Sequence, residues 1–542
     1  MSGNSETKVR PVVHSEPAHT DNKRKRQALA PWATGAIIAA VIMMIAASLL
    51  RASWMPPSMQ MPHLGPPWEI AQKVTPKYVV LAIWFAGALG GGGVIAALVA
   101  LRRGETLPLR TLVITGLLAL AILTVLPPVG STDAIDYAVY GHIAAIGHSP
   151  YVMVPAQYRA LTHTKGIPGG WSQIPSVYGP LATFEQFIAA KLGGASLART
   201  VFWLKLVNAF AFAGVALVTD RLLRNDPASR ARAHVLWTVN PLLLWNLVAA
   251  GHIDLVAAAV GLAGLLIADR WVTGAPLWRA LAAGLCAGLA IDIKANYALF
   301  LLAICWAFRR NIRELLVSVG GALLVLVPSY AGSGMAAIKA PVTRAADVTG
   351  YGFYGFYGPF LHHLGFSLKY AAIAAGCLLI PVAWLTITRL PPGLSPGESR
   401  GSSRLASTTG GEGQAVRVAL ALGLTWLLLW PDQFAWYSVM IICVLVFYPA
   451  TRLDWLAIAW LTALTIADMP GRGLHPDRGL GTLPHELQKQ FLQHFAPLVM
   501  LVVAIALVVL CLNGRWRAPE ASGGVPLAAP PQSSPLDAAA PS

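Results

Sequence analysis

Ser131–Tyr151, "STDAIDYAVYGHIAAIGHSPY", gathers two carboxylates, three tyrosines and two histidines between apolar runs at 109–128 and 199–219. An apolar run of about 20 residues crosses a bilayer. The stretch is therefore either a loop between two membrane spans or a polar helix of a soluble core. Composition decides between them. The chain has 542 residues, of which 56% are hydrophobic and 12% charged, and a mean hydropathy of +0.59. Soluble domains carry about 25% charge, so this is an all-α polytopic membrane protein and the quoted stretch is a loop. All five cysteines (Cys286, Cys305, Cys377, Cys443 and Cys511) fall inside apolar runs and read as small core hydrophobes. The net charge of +16 comes with no basic patch of interleaved aromatics, so nucleic acid is not an expected partner and membrane orientation accounts for the excess.

The run from about Trp32 to Leu50 follows the cluster Lys23-Arg24-Lys25-Arg26 and is longer than a signal-peptide core, so it reads as an uncleaved first span. Further spans fall near 78–101, 109–128, 199–219, 235–250, 252–268, 279–294, 295–308, 314–330, 366–388, 416–430, 437–449, 454–468 and 495–513. The expectation is a bundle of about 11–14 membrane helices with cytoplasmic N- and C-termini. Arginine placement agrees with that parity. Short segments assigned to the cytoplasm hold Arg102-Arg103, Arg221, Arg224, Arg230, Arg232, Arg309, Arg310, Arg313, Arg515 and Arg517, whereas the longer outer segments hold fewer basic residues. Pro180–Leu192 ("PLATFEQFIAAKL") is apolar enough for one more span, but counting it would put the arginines of 221–232 outside. It reads as re-entrant or interfacial. The chain then divides into a basic cytoplasmic tail (1–31), a membrane domain (32–513) and a low-complexity cytoplasmic tail (514–542). Within the membrane domain lie a large external loop with short interfacial helices (129–198) and a Gly/Ser-rich cytoplasmic loop (389–416).

If Asp133–Gly141 is helical, Asp133, Asp136, Tyr137 and Tyr140 share one face at i, i+3, i+4 and i+7. Two functions fit that face. A carboxylate flanked by aromatic rings at a membrane surface can deprotonate a hydroxyl while the rings stack on a sugar. Equally, a solvated helix capped by Ser131 and Asp133 can anchor at the interface through its tyrosines.

The same stretch resembles the Asp-x-x-x-Tyr-x-x-Tyr-Gly … Gly-x-(Asn)-Pro-Tyr signature of GT-C glycosyltransferases, with Ser149 where asparagine is usual before Pro150-Tyr151. It is most similar to that of the actinobacterial polyprenyl-phosphomannose-dependent α-1,6-mannosyltransferases. The resemblance implies a GT-C-type bundle at the plasma membrane with an external active site. It also implies that Asp133 is the catalytic carboxylate. "VYGPL" (Val177–Leu181), carrying Tyr178, resembles that family's Tyr-x-Pro-Leu element. "NPLLLWNLVAAGHIDLVAAA" (Asn240–Ala259) is similar to its Gly-His-x-Asp turn, "GLAIDIKANYAL" (Gly288–Leu299) to its lysine-bearing helix break and "PDQFAWYS" (Pro431–Ser438) to its late Trp-Tyr turn.

Charges inside membrane spans face cavities and partners, because each costs about 2.5–3.5 kcal/mol at the bilayer centre. His252, Asp254, Asp292 and Lys294 all fall near the external side, at the level of Asp133. They can line a polar cavity for a phosphate, with Lys294 as the counter-charge; the alternative is that they snorkel to the interface. The candidate site is thus Asp133 as base, with Asp136, Tyr137, Tyr140, His142, Tyr151, Tyr178, His252, Asp254, Lys294, Arg344, His362, Trp436 and Tyr437 as substrate contacts. Gly350–Pro359 ("GYGFYGFYGP") reads as an aromatic lid or a membrane anchor. No metal or cofactor is expected, since no third hard ligand stands near Asp133 and Asp136 and no glycine-rich nucleotide loop occurs. The expected partners are a polyprenyl-phosphate sugar donor, a glycolipid or glycan acceptor and membrane lipid. The expected reaction is inverting transfer of a hexose, mannose by resemblance, to a lipomannan-like acceptor. An arabinosyl transferase and a lipid or sugar flippase are the rival functions.

Overall fold

The computed structural model describes residues 29–469 and 494–516, except 56–58, 63, 165–170, 345–359, 366–367, 392, 395–412, 431, 470–493 and 515, although 486–487 and 490 are included. The Gly350–Pro359 repeat, most of the 389–416 loop and both tails lie outside them. Among the described residues the chain is helical. Six helices are long and apolar enough to cross a membrane: Leu29–Leu49, Pro76–Arg102, Leu197–Leu222, Pro276–Ile293, Ile312–Ser333 and Ala496–Asn513. The expected spans at 235–250 and 252–268 form one pair, Pro227–Ala249 and Asp254–Ala268, bent by 117°. Shorter apolar helices supply further elements at Leu109–Val125, Ala295–Phe308, Gly376–Arg389, Gln414–Leu429 and Ala435–Leu445. The outward faces are apolar: Ile42, Phe85, Leu118, Phe210, Leu324 and Ile505 are all exposed. Such a belt suits lipid tails rather than water.

Lipid is as apolar as leucine, so helices associate in it by close packing and internal hydrogen bonds. The Pro76–Arg102 helix carries "GALGGGG" for that purpose. A methyl group at Gly91 would collide with Thr462 of the Leu453–Asp468 helix, and one at Gly93 would press on Ala36 and Ile37 of Leu29–Leu49. Gly284 brings Pro276–Ile293 equally close to the Ser318 carbonyl of Ile312–Ser333.

Polar groups divide between the two ends of the bundle. At one end the Arg232 guanidinium donates to both carboxylate oxygens of Asp454, at 2.8 and 2.5 Å, and to the carbonyls of Leu445 and Tyr448. Arg102 joins Asp454 at 3.3 Å and lies 4.2 Å over the Trp455 ring. Asp269 accepts from the first backbone N–H groups of the Gln414–Leu429 helix at 2.8 and 2.9 Å, a capping role that suits an acid at a helix N-terminus. The Leu109–Val125 helix, which starts just after Arg102 and Arg103, runs from this end to the Ser131–Tyr151 loop.

Candidate active site

The expected helix forms over Asp133–Ala145, and Ser131 Oγ bonds both the Asp133 N–H (3.2 Å) and its Oδ1 (2.9 Å). It is not a solvated interfacial helix: Ala134 through Ile143 are buried. Two neighbours cover it. The apolar Pro180–Leu192 stretch folds as a 14-residue helix, Pro180–Gly193, and both it and Leu197–Leu222 pack on Asp133–Ala145. Gly141 sets the approach, since a side chain there would overlap the Gln186 carbonyl.

Asp133 meets the bend of the broken helix pair. His252 Nδ1 stands 3.5 Å from Asp133 Oδ2. The bend places it there because Gly251 takes φ +78° and Asn208 donates to the His252 carbonyl at 3.1 Å. The imidazole lies flat on Trp436, with centroids 3.7 Å apart, and Trp436 stacks on Phe434 at 4.4 Å. Asp254 opens the second helix of the pair. Lys294, in extended backbone where Pro276–Ile293 ends, donates to both Asp254 oxygens at 2.7 Å. Its ammonium also sits 4.4 Å over the Tyr437 ring. Asp133 and Lys294 keep 16% and 17% of their side chains accessible while Asp254 keeps none, so the first two can meet a ligand.

The tyrosines close the group. Tyr178 donates to the Tyr137 hydroxyl at 3.4 Å, the rings meeting edge to face. Burial pushes both phenols well above their ordinary range, with the Asp133 and Asp254 charges adding to it, so each remains a hydrogen-bond donor. Tyr140 donates to the Ile174 carbonyl at 2.9 Å and lies within electrostatic reach of Tyr178. Asp136 is buried, and neither of its oxygens has a hydrogen-bond partner among the described residues. Burial, with Asp133 second, holds its carboxyl well above the ordinary carboxylate range.

The structure thus brings together Asp133, Tyr137, Tyr178, His252, Asp254, Lys294, Trp436 and Tyr437, from separate parts of the chain. Other expected residues sit elsewhere. His142 bonds Thr200 on Leu197–Leu222 at 2.9 Å. Tyr151 shares a hydrogen bond of 2.8 Å with Thr183. His362 is exposed, and the Arg344 side chain lies outside the described residues. Three contributors escaped the sequence reading. Tyr297 donates to the Asp254 carbonyl at 2.9 Å, and Asp432 accepts from the expected Tyr437 at 3.3 Å. Buried Lys205 donates to the Leu123 and Leu126 carbonyls at 2.6 and 2.7 Å, closing the helix end that leads to Asp133. A lysine inside an apolar run is a signal the sequence did contain. Among the described residues no three His, Cys, Asp or Glu side chains converge as a metal site.

A helical membrane bundle with a carboxylate and an ammonium partly accessible at one end, framed by aromatic rings, defines the class: a multi-pass membrane protein with a carboxylate–histidine pair and a carboxylate–lysine pair in one cluster. Residues 33–310, which hold most of this cluster, match the family described as alpha-(1->6)-mannopyranosyltransferase, N-terminal domain, and the chain belongs to that family. It is similar to a probable alpha-(1->6)-mannopyranosyltransferase of Mycolicibacterium smegmatis, with 31% identity over 155 residues, 28% of each chain. It is also similar to an alpha-(1->6)-mannopyranosyltransferase of Mycobacterium tuberculosis, with 30% identity over 150 residues, 27% of this chain and 25% of that one. The matched stretch therefore spans little more than a quarter of these relatives' length. No solved structure matches the chain.

Proposed function

We propose that this protein is an inverting mannosyltransferase of the outer face of the plasma membrane, moving mannose from a polyprenyl phosphate to a lipid-linked glycan. The observation that carries it is the meeting of Asp133, His252, Asp254 and Lys294 in one aromatic-walled cluster at the bundle end away from Arg102, Arg232 and Asp454. The arginine-rich end is cytoplasmic by the positive-inside rule, which puts the cluster outside, with both termini in the cytoplasm.

In this mechanism the donor's lipid tail lies in the bilayer and its phosphodiester meets Lys294. An acceptor hydroxyl bonds to Asp133 and attacks the anomeric carbon from the face opposite the phosphate. The new C–O bond forms as the bond to the phosphate oxygen breaks. The electron pair leaves on polyprenyl phosphate, and the hydroxyl proton passes to Asp133. Ser131 and His252 hold the carboxylate's two oxygens and leave a lone pair on each for the incoming hydroxyl. Phosphate is a good leaving group, so one carboxylate suffices where glycosidases need two. The partly accessible Tyr437 supplies a sugar-facing ring, backed by Tyr137, Tyr178 and Trp436, and the buried Asp136 and Tyr140 support the helix that carries Asp133.

The test is transfer of label from polyprenyl-phosphomannose into a mannolipid acceptor by membranes containing the protein. Transfer from this donor and not from the polyprenyl-phosphate arabinosyl counterpart is the expected result. Label carried by the arabinosyl donor alone would contradict the sugar assignment, and movement of lipid across the bilayer without transfer would mark a flippase.

A further inference from the structure

A second polar cluster backs onto the first. Asp292, on the last turn of Pro276–Ile293, is 3% exposed. Ser329 donates to its Oδ2 at 2.7 Å and the Leu181 N–H faces the carboxylate, but Oδ1 has no hydrogen-bond partner among the described residues. A buried carboxylate oxygen left unsatisfied requires a reason. Around it stand hydroxyl groups. Tyr151 and Tyr330 are within electrostatic reach of Asp292, and Tyr151 pairs with Thr183 at 2.8 Å. Thr183, Ser329 and Tyr330 are only half-buried, so the cluster is not sealed.

The partition between the two clusters is a single turn of chain. Gly179 N–H donates to the Ile293 carbonyl at 3.1 Å, and a side chain on Gly179 would overlap the Asp292 carbonyl. Tyr178 on one side of that contact faces Tyr137 and Asp133, while Leu181 and Thr183 on the other face Asp292 and Tyr151. Extended backbone at Lys294 (φ −150°, ψ 120°) separates the ammonium of the first cluster from the carboxylate of the second. A carboxylate oxygen with acceptor capacity to spare, beside hydroxyls and phenol rings, is the chemistry that binds a sugar: it accepts from vicinal hydroxyls while a ring covers the apolar face.

A donor carrying one sugar needs one sugar site, next to Asp133. An acceptor glycan carries several in line and needs a place for the units that do not react. We propose that Asp292, Tyr151, Tyr330, Ser329 and Thr183 form a saccharide subsite that holds a unit of the acceptor glycan away from the reacting hydroxyl. The assignment to the acceptor rests on the glycosyl-transfer function proposed above.

The experiment uses the full chain in lipid nanodiscs and measures binding of free α-1,6-linked mannotriose by saturation-transfer NMR titration. Wild type and a variant at the remote, exposed Arg310 (Arg310→Ala) are expected to bind it equally, Asp292→Asn at least about tenfold more weakly and Tyr330→Phe several-fold more weakly. Both Asp292→Asn and Tyr330→Phe must remain monodisperse, and the milder Tyr330→Phe carries the test if Asp292→Asn does not. Equal binding by the wild type and by the monodisperse variants overturns the subsite, as does no mannotriose binding by wild type. Asp292-dependent binding with no transfer from any donor leaves a glycan-binding site and defeats the transferase function instead. Asp133-dependent transfer with Asp292-independent binding defeats the subsite alone.

Discussion

Asp133 and Asp136 stand one helical turn apart and meet opposite surroundings. Asp133 has Ser131 and His252 on its oxygens and stays partly accessible, whereas Asp136 is buried without a partner among the described residues. The folded state holds the Asp136 proton more tightly than the unfolded chain, whose value is near 3.8. The stability this contributes is complete below that value and is lost as pH rises through the raised folded-state value. Asp136→Asn is therefore expected to raise the melting temperature, and by more at about pH 8 than at about pH 5. Melting curves across that range check it; a gain independent of pH would show that Asp136 ionises freely. A matching loss of transfer would mean that the carboxyl is kept for the acceptor at a cost in stability. Lys294 gives a second case. Removing one partner of a buried ion pair costs about 3–5 kcal/mol, and somewhat less here because the lysine is partly accessible. Lys294→Met should lower the melting temperature sharply and abolish transfer. Adding Asp254→Asn should recover most of the stability and none of the transfer. Recovery of both would remove Lys294 from phosphate binding.

At the scale of elements, two glycines fix how the site's pieces meet. Gly141 seats Pro180–Gly193 on the Asp133 helix, and Gly179 seats the Tyr178 turn on the end of Pro276–Ile293. Gly141→Val should destabilise the protein by about 1–3 kcal/mol through overpacking and slow transfer by shifting Asp133; denaturation in mild detergent and the label assay read the two effects. Polar residues in an apolar chain stand out, so the Asp133, Gly-His-x-Asp, lysine-break and Trp-Tyr motifs were legible, and they do converge. Their partners were harder to read. His142 shares the motif with Tyr137 and Tyr140, yet the rotation of the helix turns it to Thr200. Hydropathy shows 235–250 and 252–268 as two runs but does not show their bend of 117°, which depends on Gly251 and on the packing of Asn208 against the turn. Nor can it tell an amphipathic cover such as Pro180–Gly193 from a span, because both bury apolar residues; charge parity made that distinction.

At the scale of the whole molecule, the arginine-rich end and the carboxylate–lysine end are expected on opposite sides of the membrane. Cysteines introduced as His148→Cys and Arg310→Cys, both at exposed positions, test it in a background with the exposed Cys377 replaced by serine. An impermeant maleimide added to intact cells should label position 148 and spare 310; the reverse pattern would put the cluster in the cytoplasm. In the proposed reaction Asp133 takes the acceptor's proton. The most direct measurement is the rate of label transfer from polyprenyl-phosphomannose by purified wild type and Asp133→Asn, with melting temperature followed alongside. A general base at this position requires a loss of about 10²–10⁴-fold with unchanged melting, and an Asp133→Asn enzyme turning over within a few-fold of wild type would exclude Asp133 from that role.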